Sequence, residues 1–216
     1  MSRKAGNGYL EKKAYNEIKK MILNNELKPD ETIIQDQIAQ KIGVSRTPLR
    51  RALAELERDY LVETTSNGIV VRRFSDEFLR SVWEVRAVLE GLSSRLATPL
   101  IDEPMISYFK TLFESAYRKW ESGESEAYKK ADEIFHRKLM EIAGNIVLHR
   151  SLESTQVLNI AFDLGLVRSP EETYTEHMDI LEAMESRDAD KAEKLMLEHI
   201  RNSTHLINVK YSIIKD

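Results

Sequence analysis

Apolar residues along this chain recur at two periods, and the places where the period changes divide it. Leu10, Ala14, Ile18, Met21 and Ile22 mark one face of a first helix, and Ile34, Ile38, Ala39 and Ile42 mark a second, shorter one. Leu49, Ala52, Leu53 and Leu56 repeat at i, i+3, i+4, i+7, the apolar stripe of an amphipathic helix. The period then shortens. Leu61-Val62-Glu63 and Ile69-Val70-Val71 read as two short strands around a turn at Asn67-Gly68, residues that tolerate positive φ. Beyond Ser75 the helical period returns and persists, beginning with Phe78, Val82, Val85, Leu89 and Leu92, and then Ile106, Phe109, Leu112, Phe113, Ala116 and Trp120. Further helices are expected over 125–143, 146–164, 170–186 and 189–209. Six helices without a strand signal predict an all-α antiparallel bundle.

Capping chemistry sharpens several boundaries. Gly43 supplies a tight turn into Ser45, a good N-cap, and Pro48 sits in the first turn, where its missing N–H costs nothing. Ser75 caps the next domain's first helix, with Asp76 and Glu77 complementing the dipole. Gly144-Asn145 ends the helix before it. Ser169-Pro170-Glu171-Glu172 has the form of a capping box, and Asp188 caps the last helix. The boundary falls at Ser75, giving residues 1–74 as a winged helix-turn-helix and residues 75–216 as the helical bundle. The fold class is mainly α.

Overall charge is −4, which argues against a nucleic-acid binder until it is divided. Residues 1–73 carry 14 Lys/Arg against 10 Asp/Glu, whereas the remainder carries 18 against 26. A basic reading module on an acidic body fits that asymmetry. There is no cysteine, no run approaching 18 apolar residues and no apolar leader at the N-terminus, so a cytoplasmic protein without a membrane span is expected. The first eight residues read as a mobile basic arm.

Arg46, Thr47, Arg50 and Arg51 lie off the apolar stripe at the front of the capped helix. Base edges and phosphates take donors of this kind, so Ser45, Arg46, Thr47, Arg50 and Arg51 are candidate DNA contacts, with Gly68 close to the duplex at the wing tip. The run Gly43-Val44-Ser45-Arg46-Thr47-Pro48-Leu49-Arg50-Arg51-Ala52-Leu53 resembles the GntR family of bacterial transcription regulators. That family usually has Glu at the position of Arg51 and Pro-Gly at Pro29-Asp30. The resemblance implies a double-stranded operator and, for a palindromic site, a homodimer whose two recognition helices stand about 34–36 Å apart.

Asp132 and His136 sit four apart on one helix face, with His177 and His199 on the two helices that follow. A carboxylate and three imidazoles suit a divalent ion such as zinc, nickel or manganese, although scattered histidines are more often surface or hydrogen-bonded residues. Asp132-Glu133-Ile134-Phe135-His136, Ala143-Gly144-Asn145, Glu176-His177 and His199-Ile200 resemble the FCD effector domain of the FadR subfamily. The resemblance implies that Asp132, His136, His177 and His199 ligate a metal. It also implies that Arg86 grips a small carboxylate effector beside it, the alternative for Arg86 being an ion pair with Glu90. His149 and His205 match no ligand position, and Trp83, Trp120 and the phenylalanines read as core.

The function these features predict is a dimeric operator-binding regulator, of repressor type, whose DNA affinity responds to a carboxylate at the metal site. It is not expected to be an enzyme. An Asp/His₃ site with open positions is also compatible with metal-dependent hydrolysis, and a third alternative makes the ion itself the signal. Imidazoles ligate only when deprotonated, so metal affinity is expected to fall below about pH 6.5.

Overall fold

A computed structural model describes residues 2–154 and 168–205. The chain divides into two compact units, Met1–Phe74 and Ser75–Asp216. Among the described residues no helix is long and apolar enough to cross a membrane.

The first unit holds α1 (Ser2–Leu23), α2 (Gln35–Ile42), α3 (Arg46–Arg58), β1 (Val62–Thr65) and β2 (Gly68–Val71). Leu49, Ala52, Leu53 and Leu56 are fully buried where α3 packs on α1, and so are Ala14 and Ile18 of α1. Gly43 closes α2 at φ 75°, its N–H donating to the Ala39 carbonyl, which aims the chain into α3. β1 and β2 pair antiparallel with Thr65 opposite Gly68, and Thr32 bridges to Val70 as a third edge.

Several expectations are corrected here. The supposed N-terminal arm is helical backbone from Ser2, because no proline interrupts it and extending an anchored helix costs far less than nucleating one. Ser45 occupies the N-cap position in extended conformation, yet its side chain makes no capping bond. Ile33 is buried whereas Ile34, placed on the α2 face from sequence, is 53% exposed. The hairpin turns on Ser66-Asn67; only Gly68 takes positive φ, and Thr65 Oγ1 bonds the turn internally. Asp30, where the related pattern has glycine, adopts φ 66°, which an aspartate tolerates, and Arg73 Nε donates to its carboxylate at 2.6 Å.

The second unit contains α4 (Asp76–Ala97), α5 (Glu103–Glu121), α6 (Ser125–Ala143), α7 (Ile146–Ser154), α8 (Pro170–Glu185) and α9 (Ala189–Asn202), the last followed by a 3-10 turn at Ser203–His205. Ser75 and Asp188 cap as expected, donated to by the N–H groups of Phe78 and Lys191. Ser169 does not accept with its side chain, although Pro170 opens α8. The expected extensions of α7 to Leu164 and of α9 to Val209 run outside the described residues. Around the core, α4 packs on α6, α6 on α5, α5 on α8, α8 on α9, and α9 back on α4. This closed circuit of helices encloses Phe109, Phe113, Phe135, Ile180 and Leu181, all 0% exposed.

Helix α4 departs from the sequence expectation most. Its buried face is Leu79, Trp83, Arg86, Ala87, Glu90, Gly91, Ser94 and Ala97. Of the stripe expected to be core, Val85 is 47% exposed and the others only partly buried, and Val88, which that stripe did not include, is 52% exposed. Leu89, Leu92 and Leu96 lean instead on Met140, Leu148 and Leu152. A hydrophobic criterion picks the more apolar face, but the face turned inward is the one carrying polar groups to the centre of the unit. Gly91 is there for space: a Cβ at that position would lie 3.3 Å from the Glu193 carbonyl oxygen of α9.

Candidate functional site

At the centre of the helix circuit, Asp132 and His136 from α6 meet His177 from α8 and His199 from α9. All four are buried, and one potential ligand atom from each lies within 4.8 Å of the others. Helical spacing supplies the first two, since residues four apart share a face. His136 Nε2 stands 3.6 Å and His177 Nε2 3.2 Å from Asp132 Oδ1. His177 Nε2 is buried and makes no hydrogen bond of good geometry, although the Asp132 carboxylate is close. An orphaned lone pair or N–H at the heart of a core is costly unless something fills the gap.

The outer nitrogens are all engaged. His136 Nδ1 contacts Glu90 Oε2, His199 Nδ1 contacts Glu176 Oε2 at 2.6 Å, and His177 Nδ1 contacts the Tyr128 hydroxyl at 3.2 Å. Holding the Nδ1 atoms turns the Nε2 atoms of His136 and His177 towards Asp132, the arrangement that orients imidazoles around a metal. The donor set and the unsatisfied His177 nitrogen therefore fit a divalent ion. Phe113 stacks on His177 with centroids 4.2 Å apart, and Phe135 meets it edge-on, which fixes the ring plane.

Two carboxylates carry the outer support. Glu90 is bound by Arg86, whose Nε donates at 2.5 Å, and by His136. Burial alone would raise its pKa, but the charges on Arg86 and His136 bring it down to about 2. Glu176 is gripped by both Nη atoms of Arg168 and by Asn202 Nδ2, and it too falls to about 2 despite burial. Asp132 is held well below the carboxylate range, the histidines outweighing its desolvation. Burial depresses His177 to about 3, reinforced by His199, and burial likewise lowers His199. His136 goes the other way: desolvation opposes its charge, yet Glu90 and Asp132 raise it to about 9.

Arg86 is 8% exposed and lies over the Trp83 ring, so the sequence alternative of an Arg86–Glu90 ion pair is realised in this structure. Tyr128, Thr173, Glu176 and Arg168 were not singled out from sequence as site residues. Helical spacing held a signal for two of them, because Tyr128 precedes Asp132 by four and Thr173 precedes His177 by four. Arg168 carried none, and Glu176 entered only within the Glu176-His177 resemblance, since their partner His199 comes from another helix.

In the first unit, Arg46, Thr47, Arg50 and Gly68 line one groove of about 660 Å³ together with Asn67. Ser45 is exposed at the front of α3. Arg46 forks onto Asp36, with Nε–Oδ1 at 2.7 Å and Nη2–Oδ2 at 2.6 Å. Arg51 is directed elsewhere, pairing with Glu11 of α1 at 2.5 Å.

Residues 10–71 match the family model described as bacterial regulatory proteins, gntR family, and residues 81–202 match the FCD domain. The chain is 28% identical over 205 residues, 90% of each chain, to the uncharacterized HTH-type transcriptional regulator YdhC of Bacillus subtilis. It is 29% identical over 171 residues to a probable D-xylose utilization operon transcriptional repressor of Paenarthrobacter nicotinovorans, covering 76% of this chain and 74% of that one. The fold resembles E. coli McbR/YncC with a TM-score of 0.70 at 19% identity, over 94% of this chain and 98% of the other.

Proposed function

This chain belongs to the GntR family of bacterial regulatory proteins, with an FCD domain behind its helix-turn-helix, and from that premise we propose a repressor released from its operator by a small carboxylate. The transcription-regulator role comes with the family; the repressor sign, the effector and the metal are our reading. The single observation that carries it is the buried set Asp132, His136, His177 and His199, with every outer imidazole nitrogen held. The repressor sign follows the name of the Paenarthrobacter relative.

In this reading residues 1–74 bind DNA and residues 75–216 bind effector and make the dimer. Arg46, Thr47 and Arg50 contact the duplex from the front of α3, supported by Ser45, with Gly68 at the wing. Arg51 adds a phosphate contact only if it leaves Glu11. A divalent ion, when bound, supplies an electrophilic anchor for a carboxylate oxygen. The chain does the rest. Glu90, Tyr128 and Glu176 orient the three imidazoles, the phenylalanines exclude water, and Arg86 reaches the far end of the ligand only if it shares its guanidinium between Glu90 and that ligand.

Four helices converge on this centre, because α6, α8 and α9 bring ligands and α4 brings Arg86 and Glu90. Helix α4 begins at Asp76, directly after the segment 72–75 that leaves β2. A ligand that binds two arrangements of these helices with different affinity can therefore bias the DNA-binding unit through the start of α4. The exposed apolar stripe through Val85 and Val88 on the same helix favours it as the dimer surface.

The test uses full-length protein and an operator selected from a random duplex pool. Elemental analysis should find about one metal per chain. Adding small carboxylates singly to the metal-loaded protein should weaken operator binding about 5–150-fold for the effector, the usual range of allosteric coupling. Absence of metal from wild type and from zinc-, nickel- and manganese-supplemented protein alike would overturn the site. Graded operator affinity with metal alone would make the ion the signal instead.

A further inference from the structure

Resting on that metal-site reading, we propose that Tyr128 and Thr173 are positioning residues that place the His177 proton on Nδ1 and so keep its Nε2 lone pair turned into the Asp132–His136–His199 cluster. The inference comes from following hydrogens through a buried chain of hydroxyls. His177 Nδ1 lies 3.2 Å from Tyr128 Oη, Tyr128 Oη lies 3.1 Å from Thr173 Oγ1, and Thr173 Oγ1 lies 3.1 Å from the Ser169 carbonyl oxygen. Tyr128 and Thr173 are 1% and 2% exposed, and His177 is 0% exposed, so the chain is closed to bulk water.

Each hydroxyl has one hydrogen to give, and a carbonyl oxygen can only accept. If the Thr173 hydrogen goes to Ser169, then Thr173 Oγ1 is left to accept from Tyr128. Tyr128, having donated, accepts from His177 Nδ1–H. Run this way, every member of the chain is satisfied. The opposite polarity needs Nε2–H at the other end of the ring, where Asp132 Oδ1 stands 3.2 Å away and Nε2 makes no hydrogen bond of good geometry. A buried N–H with no acceptor is costly, on the order of 1–3 kcal/mol, whereas a lone pair is what a cation requires at that place. The Ser169 end is a fixed point, because the same carbonyl also accepts the Thr173 backbone N–H at 3.2 Å in the first turn of α8.

This assigns different tools to the three histidines. His136 and His199 are oriented by carboxylates, Glu90 and Glu176, which add negative charge beside the ring. His177 is oriented by neutral hydroxyls, which fix its tautomer without adding charge to the cluster. A phenylalanine at position 128 would fill the same space and lose only this instruction.

Two readouts on full-length protein test the proposal. In metal-free wild type, two-bond nitrogen–proton NMR should show His177 as the Nδ1–H form. Tyr128→Phe and Thr173→Val should shift His177 towards Nε2–H or a mixture and lower zinc(II) affinity about 10–100-fold, while Thr173→Ser restores both. Thermal melting identifies any variant that fails to fold, and Thr173→Val then stands in for Tyr128→Phe. Nε2–H in the wild type, or an unchanged tautomer in both variants, overturns the relay. Wild-type protein that takes up no zinc, nickel or manganese overturns the metal reading separately, and the tautomer measurement on metal-free protein still decides the relay.

Discussion

Asp36 of α2 holds Arg46 of α3 by a two-pronged ion pair on the face that carries the candidate DNA contacts. Both side chains are largely exposed, so the pair adds little to stability. Its consequence is for recognition. Each partner shifts the other, Asp36 downward and Arg46 upward, with the shared hydrogen bonds as the leading cause. The guanidinium is thus pre-oriented but masked. Arg46→Ala should cost about 1–3 kcal/mol of operator binding and relax one base position. Asp36→Asn should strengthen binding to unrelated duplex and steepen the salt slope by about one unit, because one more unmasked cation meets the phosphates. Fluorescence anisotropy on operator and scrambled DNA across a salt series reads both, and equal behaviour of Asp36→Asn and wild type would remove Asp36 from the interface.

The raised pKa of His136 moves the expected onset of metal loss above the pH 6.5 of an ordinary imidazole. With its pKa raised to about 9, this ring is protonated at neutral pH, whereas the lowered His177 and His199 are already neutral. Metal uptake between pH 6.5 and 9 should therefore release one proton, and zinc affinity should rise about tenfold per pH unit across that window. Stability of the metal-free protein follows the opposite logic for each group. The raised His136 contributes stability that is full below its unfolded value of 6.5 and is lost as pH rises through about 9. The lowered His177 and His199 remove stability as pH falls below 6.5, since the unfolded chain then binds protons the folded one refuses. Melting of metal-free protein should thus peak near pH 6.5. A flat profile from pH 6 to 9 would show that Glu90 does not hold a charged His136.

Glu90 joins Arg86 to His136, and all three are buried. Removing one partner of a buried pair leaves an uncompensated charge, at about 3–5 kcal/mol, a large share of a domain's stability. Glu90→Ala should therefore melt far below wild type. The double change Arg86→Met with Glu90→Leu removes the guanidinium that the single change strands and should recover part of that loss, His136 still lacking its partner, while zinc affinity stays reduced about 10–100-fold because His136 has lost its orienting carboxylate. Equal destabilisation in single and double variants would place the energetic role of Glu90 outside this pair.

Legibility from sequence tracked how local the deciding interactions are. The α3 stripe from Leu49 to Leu56, the Gly43 turn and the Ser75 cap are set within one or two helical turns, and they stand where the sequence placed them. Asp132 and His136 were legible for the same reason, whereas bringing His177 and His199 to them rested on resemblance, because packing of three separate helices decides it. Helix α4 was misread at Val85, which continues the period of Phe78, Val82, Leu89 and Leu92 yet is exposed, while the buried face carries Arg86 and Glu90. Periodicity registers hydrophobicity, and a polar centre inverts it. The roles of the outer residues Arg168 and Glu176 were not legible because their contacts with His199 span helices.

The inverted face of α4 leads to the last prediction. Val85 and Val88 are one turn apart and about half exposed, on the helix that opposes Trp83, Arg86 and Glu90 inward. An apolar stripe left open on a core helix fits a second copy better than solvent, and a palindromic operator requires two recognition helices. Val85→Glu with Val88→Glu places like charges on both sides of any symmetric contact through this stripe, because a two-fold interface sets the same patch against itself. The variant should sediment as a monomer and bind the full operator more weakly, its affinity falling towards that for a single half-site. Its zinc content should be unchanged, since both valines face away from the ligands and the altered residues are already exposed. That last readout separates a broken interface from a broken fold. A variant that remains dimeric with normal zinc content would move the dimer contact to another surface, and with it the proposal that α4 carries both the effector signal and the pairing of the two chains.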